Sequence, residues 1–297
     1  MQLRQAFVNG IKDLALEHDN AILVESDVQC GARDWFLNGK QNQYLETGIA
    51  EANAVGICAG MESEGYVPFW YTYGFLIGMV FNQIKQSVGR DNRNVKMFGY
   101  NCGVSTANKI GGSSHNCVDD IGLMRLIPNM AIVVPADNKQ MYSAVKAAYD
   151  WDGAVYVRFG AGECVDVTDG KLTIGKASLM REGTKLTIVC NGVMVKTALD
   201  IADEFGGIDV LNMSTVKPLD MDALVKSAKK TGSVVVLEEH YLNCGMGESI
   251  ARDIGMEVQV WCIGLEDVWT SSGKGCLREH YHLDAGCIRR FVELLVS

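Results

Sequence analysis

The sequence predicts an α/β protein of two domains, each with a largely parallel sheet flanked by helices. Short β-branched runs alternate with stretches of helical length and pattern, the rhythm of a parallel sheet covered on both faces. A Gly- and polar-rich stretch at 160–185 interrupts that rhythm, which then resumes to the C-terminus. The expected division is therefore 1–160, a linker at 161–185, and 186–297.

Each element has its own signal. MQLRQAFVNGIKDLALEHD places Leu3, Phe7, Ile11 and Leu14 at helical spacing, so the start reads as an amphipathic helix rather than a signal peptide. The strands of the first domain are expected at 21–26, 66–72, 94–99, 130–135 and 154–159. Helices fit between them at 51–64, 75–89, 117–127 and 138–150. In the second domain, strands are expected at 186–192, 208–213, 233–239 and 257–263, with helices to about 205, near 220–230, near 245–254 and at 284–296. Ligands of parallel α/β sheets gather at the carboxyl ends of the strands. Here those ends fall near Asp27, Thr72, Tyr100–Cys102, Asp137 and Arg158.

Composition narrows the function classes. The 297 residues carry a net charge of −9 with no basic block, which argues against nucleic acid as a partner. No apolar run reaches the ~18 residues of a membrane span, so no membrane partner is expected. Ten cysteines include no CxxC, and most sit in apolar runs, as Cys58, Cys190 and Cys262 do. They read as reduced core thiols of a cytoplasmic protein. His115-Asn116-Cys117 has no second cluster to complete a metal site, so no metal ligand is expected in this chain.

No GxGxxG, P-loop or HExxH occurs, and GSSHN lacks the final Gly of a nucleophile elbow. A Ser113–His240–Asp119 triad is only combinatorially possible. What remains is an ordered constellation. Glu51 heads the small-residue run EANAVGICAGMES, an aromatic cluster PFWYTYGF follows at 68–75, and GGSSHN brings His115. Alone, Glu51 reads first as a carboxylate placed at a helix start by the dipole, and the plain alternative for His115 is a solvated loop histidine.

The pieces GIAEANAVGICAGM, VPFWYTYGF…FNQIKQ, HNCVDDIGLMRLIPNMAIVVPAD and VYVRFG resemble the pyrimidine-binding domain of thiamine-diphosphate transketolases. VKPLD, VVVLEEHYLNCGMGESIA and SSGKGCLREHYHLD resemble the C-terminal domain of the same family. The resemblance covers nearly the whole chain in order. It implies thiamine diphosphate as cofactor and two-carbon ketol transfer from a ketose to an aldose. It assigns to Glu51 the carboxyl that shares a proton with ring nitrogen N1′ of the aminopyrimidine. Aligning Pro68-Phe69 and the later Phe81-Asn82-Gln83 to the family without a gap puts Tyr73 at the ring that stacks on the pyrimidine; a slip of two puts Phe75 there. His115 matches a histidine near the donor oxygens, Asp27 a carboxylate near the cofactor across a subunit interface, and His240 a structural position.

Full-length relatives also carry a domain whose G-D-G…N segment holds Mg²⁺ and the diphosphate. The sequence contains no such segment. The resemblance therefore implies one subunit of a split enzyme, working as an α2β2 heterotetramer with an N-terminal transketolase subunit and inactive alone. The substrate loop also departs from the family: Asn101 replaces a histidine, Lys109-Ile110 stand near a lost acidic pair, and R-x-x-R becomes Arg158 followed by Ala161. Asn101, Lys109, Arg158 and His115 are the expected substrate contacts. The missing second arginine removes a bidentate grip on phosphate, which opens the substrate to a sulfonate or unphosphorylated sugar. The alternatives are a β-type subunit of a 2-oxo acid dehydrogenase, a deoxyxylulose-phosphate synthase-like enzyme, or a non-catalytic scaffold.

Overall fold

A computed structural model describes residues 2–104, 115–266 and 277–296. The first half runs α1 (Leu3–Glu17), β1 (Ala21–Glu25), α2 (Arg33–Leu37), β2 (Tyr44–Glu46), α3 (Glu51–Ser63), β3 (Val67–Tyr73), α4 (Gly74–Met79), α5 (Phe81–Ile84), β4 (Lys96–Tyr100), α6 (Asp120–Arg125), β5 (Ala131–Val133), α7 (Asn138–Asp150) and β6 (Val155–Phe159). The second runs β7 (Ser178–Arg181), β8 (Leu186–Cys190), α8 (Met194–Phe205), β9 (Ile208–Asn212), β10 (Thr215–Lys217), α9 (Met221–Thr231), β11 (Ser233–Tyr241), α10 (Met246–Ile254), β12 (Gln259–Leu265), α11 (Leu277–His280) and α12 (Ala285–Val296).

Two sheets form, in the orders β10-β5-β6-β4-β3-β1-β2 and β12-β11-β8-β9-β7. All pairings are parallel except β10 with β5 and β7 with β9, one antiparallel edge on each sheet. The central strands β1, β4, β6 and β8 are buried along almost their whole length, which is why they read as continuous apolar runs. β10 comes from the second half of the chain yet closes the first sheet. Accordingly Val216 and Met213 share one core with Ile132, Trp70 and Met97, and that core continues to Leu224, Val236 and Ile250 under the second sheet. The other face of the first sheet packs on α1 and α7 through Phe7, Ile11, Met141 and Val145. α8 and α12 cover the remaining face of the second sheet.

Local chemistry explains the ends of several elements. Asp137 caps α7, accepting from Gln140 N at 2.9 Å, and Asp220 caps α9 from Ala223 N at 3.2 Å. The helix expected over 75–89 is broken at Val80 and ends in a π-helical turn at Lys85–Gly89. Gly89 lies so close to α6's exit that a Cβ there would sit 2.1 Å from Ile127 Cγ2. The helix expected from 117 starts only at Asp120, because Cys117 is held in a β-bridge with Cys102. No helix among the described residues is long and apolar enough to cross a membrane.

Candidate active site

The carboxyl ends of β1, β3, β4 and β6 lie side by side, with Tyr73 registered on Tyr100 and Tyr100 on Phe159. The first group of functional side chains follows β1 and β2. Thr47 and Gly48 lead from β2 into α3, and Glu46 Oε1 accepts from Gly48 N at 2.9 Å and Asp27 N at 2.8 Å. This turn sets Glu51 as the first residue of α3, half-buried. Among the described residues, no hydrogen bond or ion pair engages the Glu51 carboxylate. Beneath it, Ala54, Val55 and Cys58 anchor α3 in the core beside Val24 and Trp70. Asp27 is exposed at the end of β1 with a left-handed φ of 63°.

The second group is an aromatic stack. From the core outward, Tyr71 stacks on Tyr100 at 6.1 Å, Tyr100 on Tyr73 at 5.8 Å, and Tyr73 on Phe75 at 5.7 Å, with interplanar angles of 17–24°. His115 stands edge-on to both Tyr73 (6.0 Å) and Phe75 (5.3 Å). Tyr73 is thus flanked by parallel rings on two sides, while Phe75 ends the stack and is half-buried. The geometry brings together Tyr73, Phe75 and His115, three residues the sequence singled out. Tyr100, the ring that joins this stack to the core, was placed by the sequence only as a strand end and not as part of the aromatic cluster. Burial, with Arg4 and Tyr73 nearby, leaves the Tyr100 phenol pushed up, so it stays protonated at neutral pH.

Asn101, an expected substrate contact, is turned into the protein through its amide nitrogen. It is 2% exposed, adopts a left-handed φ of 64°, and its Nδ2 donates to the carbonyl of His115 at 2.8 Å. It fixes the backbone that presents His115.

Arg158 is corrected in the same way. Its side chain is 4% exposed; Nε donates to Asp120 Oδ2 at 2.8 Å, and Nη2 donates to the carbonyls of Cys117 and Glu239, each at 3.2 Å. It ties the first domain to the end of β11 and offers no open fork to a substrate. Ala161 is buried. Lys109 and Ser113 lie outside the described residues.

The sequence also missed what surrounds Arg158. Asp120 accepts from Tyr156 Oη at 2.7 Å as well. Burial pushes its carboxyl up, but Arg158, His240 and Tyr156 together hold it below the usual carboxylate range. Gly122 N in α6 donates to His240 Nε2 at 3.2 Å, so this histidine of the second domain caps a helix of the first. His240 is therefore structural, as expected. The described cysteines form no disulfide; Cys58 and Cys190 are buried, whereas Cys262 is half-buried and Cys244 exposed.

A carboxylate at the start of α3 and an aromatic stack at the end of β3, the strand α3 packs on, are chemistry suited to a flat, protonatable heterocycle: a ring supplies a face and a carboxyl a proton site. Comparison with known proteins bears on which one. The family described as transketolase, pyrimidine binding domain, matches residues 1–164, and the transketolase C-terminal domain matches residues 175–288. The chain is 33% identical over 294 residues to a 6-deoxy-6-sulfo-D-fructose transketolase subunit of Clostridium sp., covering 95% of this chain and 91% of that one. It is 31% identical to an apulose-4-phosphate transketolase subunit of Phocaeicola vulgatus, covering 95% and 93%. It spans about half, 47%, of a 1-deoxy-D-xylulose-5-phosphate synthase of Heliobacterium modesticaldum at 31% identity. Among solved structures, a split gene transketolase described as an inactive beta4 tetramer superposes with a TM-score of 0.89 at 30% identity, covering 100% of this chain and 98% of that one.

Proposed function

Because the chain belongs to the transketolase family and is a subunit of a transketolase-type transferase, we propose that it supplies the pyrimidine half of a thiamine-diphosphate site completed by a partner subunit. The observation that carries this reading is the Tyr73–Phe75–His115 cluster at the carboxyl end of β3, in a chain whose α3, opened by the Glu51 carboxylate, packs on that same strand. Thiamine diphosphate, when bound, supplies the carbon nucleophile and electron sink for breaking the ketose C–C bond. Glu51 holds the proton shared with the pyrimidine ring. Phe75, whose outer face is not covered by another ring of the stack, is the platform, and Tyr73 backs it. His115 donates to or accepts from the donor oxygens, held in place by Asn101. Asp27 approaches the cofactor from the subunit boundary.

The diphosphate and Mg²⁺ would belong to the partner, since no G-D-G…N segment occurs in this sequence. An α2β2 assembly in the cytoplasm, within carbohydrate metabolism including pentose phosphates, is the arrangement we propose; the unpaired thiols suit that compartment. A related structure described as an inactive beta4 tetramer fits the view that this kind of chain does not turn over alone. With Arg158 buried and Ala161 in place of a second arginine, we propose a donor whose tail is a sulfonate or lacks phosphate, with Lys109 as its counter-charge. The 6-deoxy-6-sulfo-D-fructose relative favours the sulfonate.

The test is a ketol-transfer assay on the complex with a partner carrying G-D-G…N. Xylulose 5-phosphate, 6-deoxy-6-sulfofructose and fructose serve as donors, and ribose 5-phosphate as acceptor. We expect turnover only from the complex, a preference for the sulfonate, and a loss of roughly 10²–10⁴-fold on Glu51→Gln with thiamine diphosphate still bound. Pyruvate decarboxylation in place of ketol transfer would move the assignment to the 2-oxo acid enzymes. Full activity in Glu51→Gln would leave only a scaffold.

A further inference from the structure

Three donor atoms meet at the base of the site without a role in the reaction above. Cys102 follows the end of β4, Cys117 lies two residues beyond His115, and Asp120 opens α6. Their sulfur and carboxylate atoms all lie within 4.8 Å of one another, and the residues are 2%, 1% and 0% exposed. Asp120 Oδ2 is taken by Arg158 and Tyr156, but Oδ1, fully buried, has no hydrogen-bond partner among the described residues. A buried carboxylate oxygen left unpaired costs free energy unless something meets it. Gly74 brings α4 directly over the sulfurs, since a Cβ there would sit 2.3 Å from Cys102 Sγ. The cluster is enclosed on that side.

We propose that Cys102, Cys117 and Asp120 form a binding site for a thiophilic divalent cation of the zinc class. Two thiolates and one carboxylate are ligands such ions select, and a tetrahedral zinc, with bonds of about 2.3 Å to sulfur and about 2.0–2.2 Å to oxygen, holds its donors roughly 3.5 Å apart. Tyr156 Oη, 3.5 Å from Cys102 Sγ, is the nearest fourth donor. The charges balance in both states. Without the ion, two neutral thiols accompany the Asp120 carboxylate and the Arg158 guanidinium. With it, each thiol gives one proton to solvent, and the two new thiolate charges cancel the two of the cation. Binding therefore adds no net charge to a buried site. Mechanically it would fasten the end of β4, with Asn101, to the segment after His115, reinforcing the Gly103 N to Cys117 O bond of 2.7 Å.

The experiment uses the full chain reduced with a phosphine, loaded with Zn²⁺ and dialysed against a weak chelator. We expect one zinc retained per chain, two protons released per ion, and a rise in Tm. Cys102→Ser and Cys117→Ser should each weaken retention at least tenfold, while Cys244→Ser with Cys287→Ser leaves it unchanged. Should the buried-site variants fail to fold, Co²⁺ loaded into the unmodified chain decides: a thiolate-to-cobalt charge-transfer band with tetrahedral d–d absorption is expected. Retention unaffected by either buried serine, proton release near zero, or a cobalt spectrum without thiolate bands would overturn the site.

Discussion

Tyr73 lies between Tyr100 and Phe75, and Phe75 alone ends the stack toward His115. A flat ligand ring extends a stack at its end, and among the described residues that end is Phe75, so Phe75 should matter more to cofactor affinity. Losing a stacked phenyl face costs about 2 kcal/mol in burial and ring–ring contact, roughly 30-fold in Kd. Titrating thiamine diphosphate into the assembled complex should show that loss for Phe75→Ala and a smaller one for Tyr73→Ala. The reverse order would restore the gapless alignment. Resemblance made Glu51, Tyr73, Phe75 and His115 legible as a set, because each keeps its residue type within a recognisable run. The roles of Asn101 and Arg158 were not legible. Both are polar residues at strand ends, where a ligand contact is the natural reading; only the fold shows that Asn101 turns to the His115 carbonyl and Arg158 inward to Asp120.

At the scale of elements, strands with long β-branched runs and helices with clear apolar stripes were readable. β2 and β10 were not, and β7 was expected only as one of a few short strands without bounds in the 160–185 stretch. Each has only three or four residues, too few for a period, and β7 and β10 are antiparallel edges set by tertiary pairing. β4 shows a feature that hydropathy hides: its first residue, Lys96, is fully buried and donates to the carbonyls of Trp151 at 2.6 Å and Gly153 at 2.8 Å. Burial pulls its ammonium down to about 7, with Asp152 opposing. The unfolded chain keeps this proton up to its ordinary pKa near 10.4, so between roughly pH 7 and 10 the unfolded state binds more protons and stability rises with pH. Buried thiols such as Cys58, pushed up by burial to about 12, act oppositely once unfolded thiols ionise near 8.5. Urea unfolding at pH 6.5 and 8.5 should therefore give a positive slope in the native chain that is absent in Lys96→Met. Equal slopes in both would show that Lys96 stays charged throughout.

Across the whole molecule, the two halves are joined by more than a linker. β10 completes the first sheet, and one core runs beneath both sheets. The polar seam is centred on Arg158, which reaches Asp120, 38 residues away in sequence, and Glu239, 81 residues away. Such distances leave no local pattern, which is why the seam escaped sequence reading. Removing one member of a buried ion pair costs about 3–5 kcal/mol, because the other is left charged without a partner. Arg158→Ala should lose that much at pH 7, and its pH dependence should change sign. In the native chain Asp120 is held below its ordinary pKa, so its contribution is present above about pH 4 and is lost as the pH falls below that. Without Arg158 the buried carboxyl favours its proton, so the variant's deficit should shrink as acid is added. Denaturant curves from pH 7 to about pH 3 measure both effects. If Arg158 instead gripped the donor, the variant would unfold like the native chain at every pH and show its defect only as a raised KM.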